Sequence, residues 1–536
     1  MNRAVRAAAA LVLLTASLAA AGETVRAGAA RTPVPLWVLH ARRYPGGMSA
    51  GVRARALAAP TGRATPGAPA GPAAPPSGLE NVQANSPSSV PQDETAVAYD
   101  VFHPLRAVAA SNDYRSGGLW IGHTANGGVT WKSLYRAPRF SSGHGVCSGS
   151  DPSVVYSRRD HAFYVSTLCF GGSVSEVDVW KSTDDGVTWT APGRAALPAS
   201  NLGPRGYPNG HLFFDKELLA VDNVPTSRHY GRLYVTYIRF HMRSGSAASD
   251  TCPVHLSYTD RVPTNDPARA RWTRAAVVGA APGAAGTGPS ANQWATPVVD
   301  TKGALDIAYV IEGCNSGADS RLFLKRSTNG GGTFGPRVRI DKPGQFADNP
   351  NSSDRLPAKS PPIGISPSLA VNPVTGSLDY VFQNNVNAGT SGADISFVRS
   401  TDHGATWSDA APLSVDDHGN PAPEDQFFPW IAADTVGPDG TLQAVWLDNR
   451  NDPNDVLVET FQATSTDDGR TWTFQDISSA PWNPNGFYEG AGHFIGDYIG
   501  VAASPQVVYP VWTDGRNSTP QHADTDIFTN VEIPGP

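Results

Sequence analysis

Sulfur is scarce in this chain of 536 residues, which holds four cysteines and three methionines. Four widely spaced cysteines cannot frame a small disulfide-built domain, and their spacing does not match a compact zinc knuckle. Charged residues are also sparse, at 17%, and form no basic run; acids outnumber bases 48 to 41. That balance excludes the electrostatic footprint of a nucleic-acid-binding protein. Past the N-terminus no apolar run approaches the roughly 20 residues a membrane helix needs, so no transmembrane span is expected.

The N-terminus has its own grammar. Arg3 and Arg6 precede an apolar run from Ala7 to Ala21, followed by small residues up to Gly22. A charged head, a short apolar core and a small-residue exit are the parts of a secretory signal. Residues 1–21 are therefore expected to direct export, which makes the mature protein secreted or extracytoplasmic. Residues 22–92 follow as an arm rich in Pro, Ala and Gly, with Pro60, Pro66, Pro69, Pro72, Pro75 and Pro76 and few aromatics. Such composition cannot build a core. The folded body is expected at 93–536 as a single domain.

Five octets organise that body: Thr124–Trp131, Ser182–Trp189, Ser327–Phe334, Ser400–Trp407 and Ser465–Trp472. Each has a hydroxyl residue, an Asp or Asn two positions on, a glycine, then Thr and an aromatic ring. The Asp or Asn side chain can accept backbone N–H groups, the glycine can take a positive φ, and the ring can anchor the turn to a sheet. Five copies define a repeated hairpin unit rather than a chance motif.

The octets resemble the Asp-box, or BNR, repeat of the sialidase-like superfamily across most of residues 93–536. The resemblance implies a β-propeller, with each box on the turn between the two outer strands, away from the ligand face. Asp184, Asp402 and Asp467 accordingly take structural roles. A C-terminal stretch, Phe494–Gly500 followed by Trp512–Arg516, is similar to secreted BNR-repeat proteins grouped with exo-sialidases. Active members clamp the substrate carboxylate with three arginines and use a tyrosine–glutamate pair with an aspartate. Their first arginine sits in an Arg-Ile-Pro motif ahead of the first box. That motif is absent here, and Pro138-Arg139-Phe140 follows the box instead of preceding it.

Counting hairpins sets the fold class as all-β. Short apolar strands near 95–99, 152–157, 217–221, 295–299, 367–371, 429–433 and 498–502 each have a partner strand after a turn. Seven units favour a seven-bladed propeller; six blades, as in the familiar sialidase domain, are the alternative. The last unit runs out after one more strand, so a segment just before Thr95 is expected to supply its outer edge and close the ring. Cys147 and Cys169 bracket a hairpin, while Cys252 and Cys314 fall on consecutive units, which favours Cys147–Cys169 with Cys252–Cys314 among the three connectivities that four cysteines allow.

Equivalent ends of the inner strands must ring the central channel. The residues just ahead of them are Glu94, Asp151, Lys216, Trp294, Ser366, Phe428 and Asp497. Glu94, Asp151 and Asp497 come from blades that become neighbours on closure and are the candidate catalytic acids, with Tyr488 and Glu489 from the glycine-rich loop before Asp497. Arg115, Arg450, Arg516, His493, Trp294 and Phe428 are candidate substrate-binding residues. Paired carboxylates are what glycoside hydrolysis requires, one giving a proton and the other attacking or activating water. The expected partner is a carbohydrate or glycoconjugate, met by a monomer. No cofactor is required, although acidic clusters also suit a structural calcium. Three readings stay open: a sialidase-like glycosidase with exo-α-sialidase as its narrowest form, a non-catalytic glycan-binding or cell-surface propeller, and a polysaccharide lyase.

Overall fold

The computed structural model describes residues 34–43, 48–57, 81–86, 90–243, 250–277, 290–313, 316–348, 355–435, 440–486, 488–489, 492–519 and 524–531. Residues from Pro35 onward belong to one compact unit. Seven four-stranded antiparallel sheets follow one another along the chain, and they are the blades of a propeller. The inner strands are Gln92–Asp100, Ser148–Ser157, Leu212–Val221, Ser290–Val299, Ser368–Val371, Gln426–Ala433 and Gly500–Ala503. The seven-bladed expectation is met.

Side-chain size follows the wedge shape of the gaps between blades. Six of the inner strands bury an alanine (Ala96, Ala220, Ala295, Ala370, Ala433 and Ala502), alongside larger residues such as Leu219 and Ile431. Second and third strands, where the gaps widen, bury Trp120, Trp180, Trp446 and Trp512 completely. Burying rings of this size contributes on the order of 1.5–3 kcal/mol each.

Ring closure uses both ends of the body. Asn81–Gln83 pairs with Asp526–Asn530 as the outermost strand of blade 7. Ala84 N–H then donates to Ile527 O at 2.7 Å, and Asn81 bonds Ile477 O at 2.7 Å. The closing strand thus lies earlier than the position just before Thr95. Residues 22–92, read from composition as a core-less arm, contain this strand and two helices, α1 (Leu36–Arg43) and α2 (Ala50–Leu57). Trp37, Val52 and Ala56 are buried in the same cluster as Phe213 and Phe214 of blade 3.

All five octets occupy the turn between third and fourth strands. In the second octet Asp184 accepts Thr188 N–H at 2.8 Å and Thr188 Oγ1–H at 2.6 Å, while Ser182 Oγ accepts Gly186 N–H at 2.9 Å. Asp402 and Asp467 make the same bonds to Thr406 and Thr471. The octet glycine also fits against the preceding blade. A Cβ on Gly404 would stand 2.1 Å from Leu324 Cδ2, and one on Gly186 would stand 2.5 Å from Val108.

Cys147 and Cys169 are bonded across the inner hairpin of blade 2. Cys252 is disulfide-bonded, and its expected partner Cys314 lies outside the described residues. The signal segment 1–21 lies outside them too. No helix among the described residues is long and apolar enough to cross a membrane.

Candidate active site

One backbone device builds the channel mouth. Pairing of the inner strand with its neighbour breaks between Asp93 and Ala96, Ser150 and Ser153, Asp215 and Leu218, Gln293 and Thr296, and Phe427 and Trp430. At each break one residue takes a left-handed conformation: Glu94 (φ 60°), Asp151 (56°), Lys216 (51°), Trp294 (54°) and Phe428 (55°). Ser366 (φ 33°) occupies the corresponding place in blade 5. In blade 7 Gly496 (φ 95°) takes that conformation, immediately ahead of Asp497. A bulge of this kind re-aims a side chain, and a non-glycine left-handed residue costs roughly 1–3 kcal/mol. The bulge recurs in five of the seven blades.

Lys216 is the centre of the arrangement. Its Nζ lies 2.8 Å from Asp151 Oδ1, 3.3 Å from Asp497 Oδ2 and 3.4 Å from Glu94 Oε1. Below it stand the rings of Trp294 and Tyr498, with centroids at 4.3 and 4.4 Å. Asn112 ties the acids together: its Nδ2 donates to Glu94 Oε2 at 2.5 Å, and its Oδ1 accepts the N–H of Asp151 at 3.1 Å. Asp151 Oδ2 is buried and has no hydrogen-bond partner among the described residues.

The electrostatics separate these groups. Burial, then the charge of Asp151, pushes the Glu94 carboxyl well above the ordinary glutamate range. Burial alone disfavours the Lys216 ammonium, but Asp151, Glu94 and Asp497 outweigh it and hold the amine well above its usual value. Burial and Asp151 push Asp215 up to about 6. Burial also raises Glu217, whose two oxygens have no partner among the described residues. Five carboxyl groups (Glu94, Asp151, Asp215, Glu217, Asp497) therefore share one ammonium. Lys216, Asn112 and Tyr498 fall outside the sequence-derived site. Lys216 was within reach, since it occupies the same position before its inner strand as Glu94 and Asp151.

The other sequence-derived residues distribute differently. Trp294 lies under Lys216, whereas Phe428 packs into the core against Phe427 at 5.1 Å. Arg450 Nη2 bonds Asp448 at 2.7 Å and stacks on Phe461; Arg516 Nη2 bonds Asp514 at 2.6 Å and stacks on Phe528. Arg115 stacks on Tyr135 at 3.7 Å, with Asp113 at 3.8 Å. Arg450 and Arg516 also reach back to the loops after the preceding blades, donating to Val415 O at 2.9 Å and Ser479 Oγ at 2.6 Å. His493 lies on a small hairpin of Tyr488–Glu489 with Gly492–His493, which abuts α2, and burial lowers its pKa. The side chains of Tyr488 and Glu489 lie outside the described residues.

Helix α2 sits directly on the acids. Ser49 N–H and Oγ–H both donate to the Asp215 carboxylate at 2.7 Å, and Ala50 N–H donates to Asp497 Oδ2 at 2.8 Å. The cavity left between this segment and Lys216, Gln293 and Trp294 measures about 30 Å³. At the far end of the axis, on the octet side, a wider opening of about 510 Å³ is lined largely by Val, Ala and Leu.

Two acidic groups are compact enough to suit a cation such as calcium. In one, oxygens of Glu94, Asp151 and Asp497 lie within 4.8 Å of one another, and Lys216 already supplies positive charge there. In the other, Glu176 and Asp178 lie beside Cys169, whose sulfur is committed to its disulfide.

No family model matches the sequence, and no curated protein matches it. Similar solved structures include an α-L-arabinanase of Penicillium chrysogenum complexed with arabinobiose, with 13% identity, 85% of this chain and 99% of that chain covered, and a TM-score of 0.43. An α-L-arabinofuranosidase of Fusarium graminearum gives 13%, 68%, 92% and 0.43. Trypanosoma rangeli sialidase gives 14%, 84%, 59% and 0.41. With every one of these scores below 0.5, no feature of the site is taken from them.

Proposed function

We propose that this chain is a glycoside hydrolase that cleaves a neutral glycan by a two-carboxyl, retaining mechanism. One observation carries the reading: three acids with oxygens within 4.8 Å of one another surround an ammonium, and one of them, Glu94, is pushed toward its protonated form. Carboxyl groups about 5 Å apart suit attack by one of them on the sugar, whereas a wider gap leaves room for water. Acid and base roles fall to groups whose environments drive their pKa values apart.

Glu94 gives its proton to the glycosidic oxygen as that bond breaks. Asp151, with one oxygen held by Lys216 and Oδ2 unoccupied, attacks the anomeric carbon and forms a glycosyl ester. The Glu94 carboxylate then takes a proton from water, whose oxygen displaces Asp151 and releases the sugar. Asp215 and Asp497 accept hydroxyl hydrogens of the substrate. A negatively charged sugar would face an excess of carboxyl groups, and the three candidate arginines are already engaged by acids, rings and loop oxygens. A sialoside is therefore not the substrate favoured.

The test compares neutral aryl glycosides with aryl sialosides, on the intact chain and after limited proteolysis. Glu94→Gln is expected to slow hydrolysis about 10²- to 10⁴-fold, less so when the leaving group is an acidic phenol that needs no proton. Asp151→Asn should abolish turnover. Hydrolysis unaffected by either change, or product released with inverted anomeric configuration by NMR, would overturn the assignment.

A further inference from the structure

The segment that covers these acids is held by more than contact. Helix α2 begins at Ser49, whose Oγ accepts Val52 N–H at 3.4 Å, and its first free N–H groups point at Asp215 and Asp497 instead of water. A helix N-terminus has unsatisfied donors and partial positive charge, so an acidic pocket is its natural partner. Gly51 comes so close that a Cβ there would lie 3.3 Å from Ser150 Oγ and 3.4 Å from Glu94 Oε1. Ala50, Gly51, Val52, Arg53, Ala54 and Ala56 are all buried.

Anchors away from the axis fix the segment. The Trp37 ring stacks on Phe213 at 5.1 Å, and its Nε1–H donates to Gly172 O at 2.9 Å. His40 Nδ1 lies 2.8 Å from Asp250 Oδ2. Arg55 Nη2 donates to Gly149 O at 3.1 Å, and its guanidinium lies 4.7 Å from the centre of the Tyr114 ring.

We infer that residues 35–43 and 48–57 are an internal competitor for the glycan site, and that the intact chain is latent until this segment leaves. The inference rests on the catalytic reading of the acids. Ser49 presents two adjacent hydrogen donors to one carboxylate, as a vicinal diol of a sugar would. With the segment seated, the remaining cavity of about 30 Å³ is far below the roughly 300–1,000 Å³ of a small-ligand site. A cut between Leu57 and Asn81 would separate the segment from the closing strand of the ring. Removal of such a pro-segment is an established kind of switch.

The experiment uses the full chain carrying Gln293→Cys, a reporter thiol in the covered cavity, and follows its labelling by a maleimide. It is repeated with Ala54→Pro, which breaks α2, and separately with Trp37→Ala, which removes the distant anchor without touching the channel. Each variant is expected to label about tenfold faster or more and to hydrolyse neutral aryl glycosides that the parent leaves intact. Faster labelling without hydrolysis of any glycan would keep the occlusion, while removing its inhibitory meaning and the glycosidase reading together. Labelling in the parent as fast as in urea, or unmoved by either variant, would overturn occlusion whatever the activity.

Discussion

Lys216 is where single-residue chemistry decides most. It and Glu94 both titrate higher in the folded chain than their ordinary values. The stabilisation from Lys216 is complete below its unfolded pKa and fades only as pH climbs through the raised folded value. Glu94 has the same sign at lower pH: it favours the folded state below the ordinary glutamate range and loses that contribution as pH rises. Lys216→Met leaves the acids without their cation, so a loss of about 3–5 kcal/mol is expected at pH 8. Denaturant melts should show part of that loss recovered at pH 5. Gly496 is a second sensitive residue, because at φ 95° a Cβ would stand 2.8 Å from the Glu94 N atom. Gly496→Ala should cost about 1–3 kcal/mol in urea titrations and disturb Glu94. In blade 7 the alignment gave Asp497, whereas the left-handed residue is Gly496. The positions of Lys216 and Glu94 were legible from strand alignment. Their partners were not: a side chain's direction at a bulge depends on a register break that alternation patterns do not reveal.

At the scale of the turn, the octets pair backbone economy with a fitted contact. Thr471 Oγ1–H and N–H hold the Asp467 carboxyl down to about 2, from an ordinary 3.8. A depressed carboxylate stabilises the fold above its unfolded pKa and gives that up as pH falls through its folded value. Acid unfolding followed by tryptophan fluorescence should therefore start at higher pH in Asp467→Asn, with the stability difference present above pH 4 and disappearing as pH falls toward 2. Gly404→Ala tests the contact between blades, since its Cβ would meet Leu324 at 2.1 Å. Overpacking of that kind is expected to lower stability by about 1–3 kcal/mol. The five turns were readable because their spacing is local. Blade 3 has no octet, yet Thr273–Ala276 still completes its sheet, because pairing with Val254–Thr259 rests on strand contacts rather than the turn.

Over the whole molecule, the number of blades was legible because seven hairpins recur. The closing strand was placed too late in the chain, because three residues of Asn-Val-Gln carry no strand pattern of their own. Their role comes from the vacant edge of blade 7. The two helices were missed for a related reason: each has eight residues and no acid in its first turn, and what fixes them is the surface they lie on. Ala84→Pro tests closure, as it deletes the N–H that bonds Ile527 O at 2.7 Å. The expected loss is about 1–3 kcal/mol, visible as a lower melting temperature with the transition still cooperative.

The repeated bulge has a further consequence for how such a protein can change. In five of the seven inner strands it lifts one residue out of the pleat, and side chains of very different chemistry stand there. Acid, amine and indole already occupy equivalent rungs of one ladder. A change at a rung that faces the channel alters what the mouth presents, whereas Phe428 is held by its packing against Phe427. A survey of substitutions at these five positions should show where the chemistry of the mouth and the stability of the blades are coupled, as at Lys216, and where they are not.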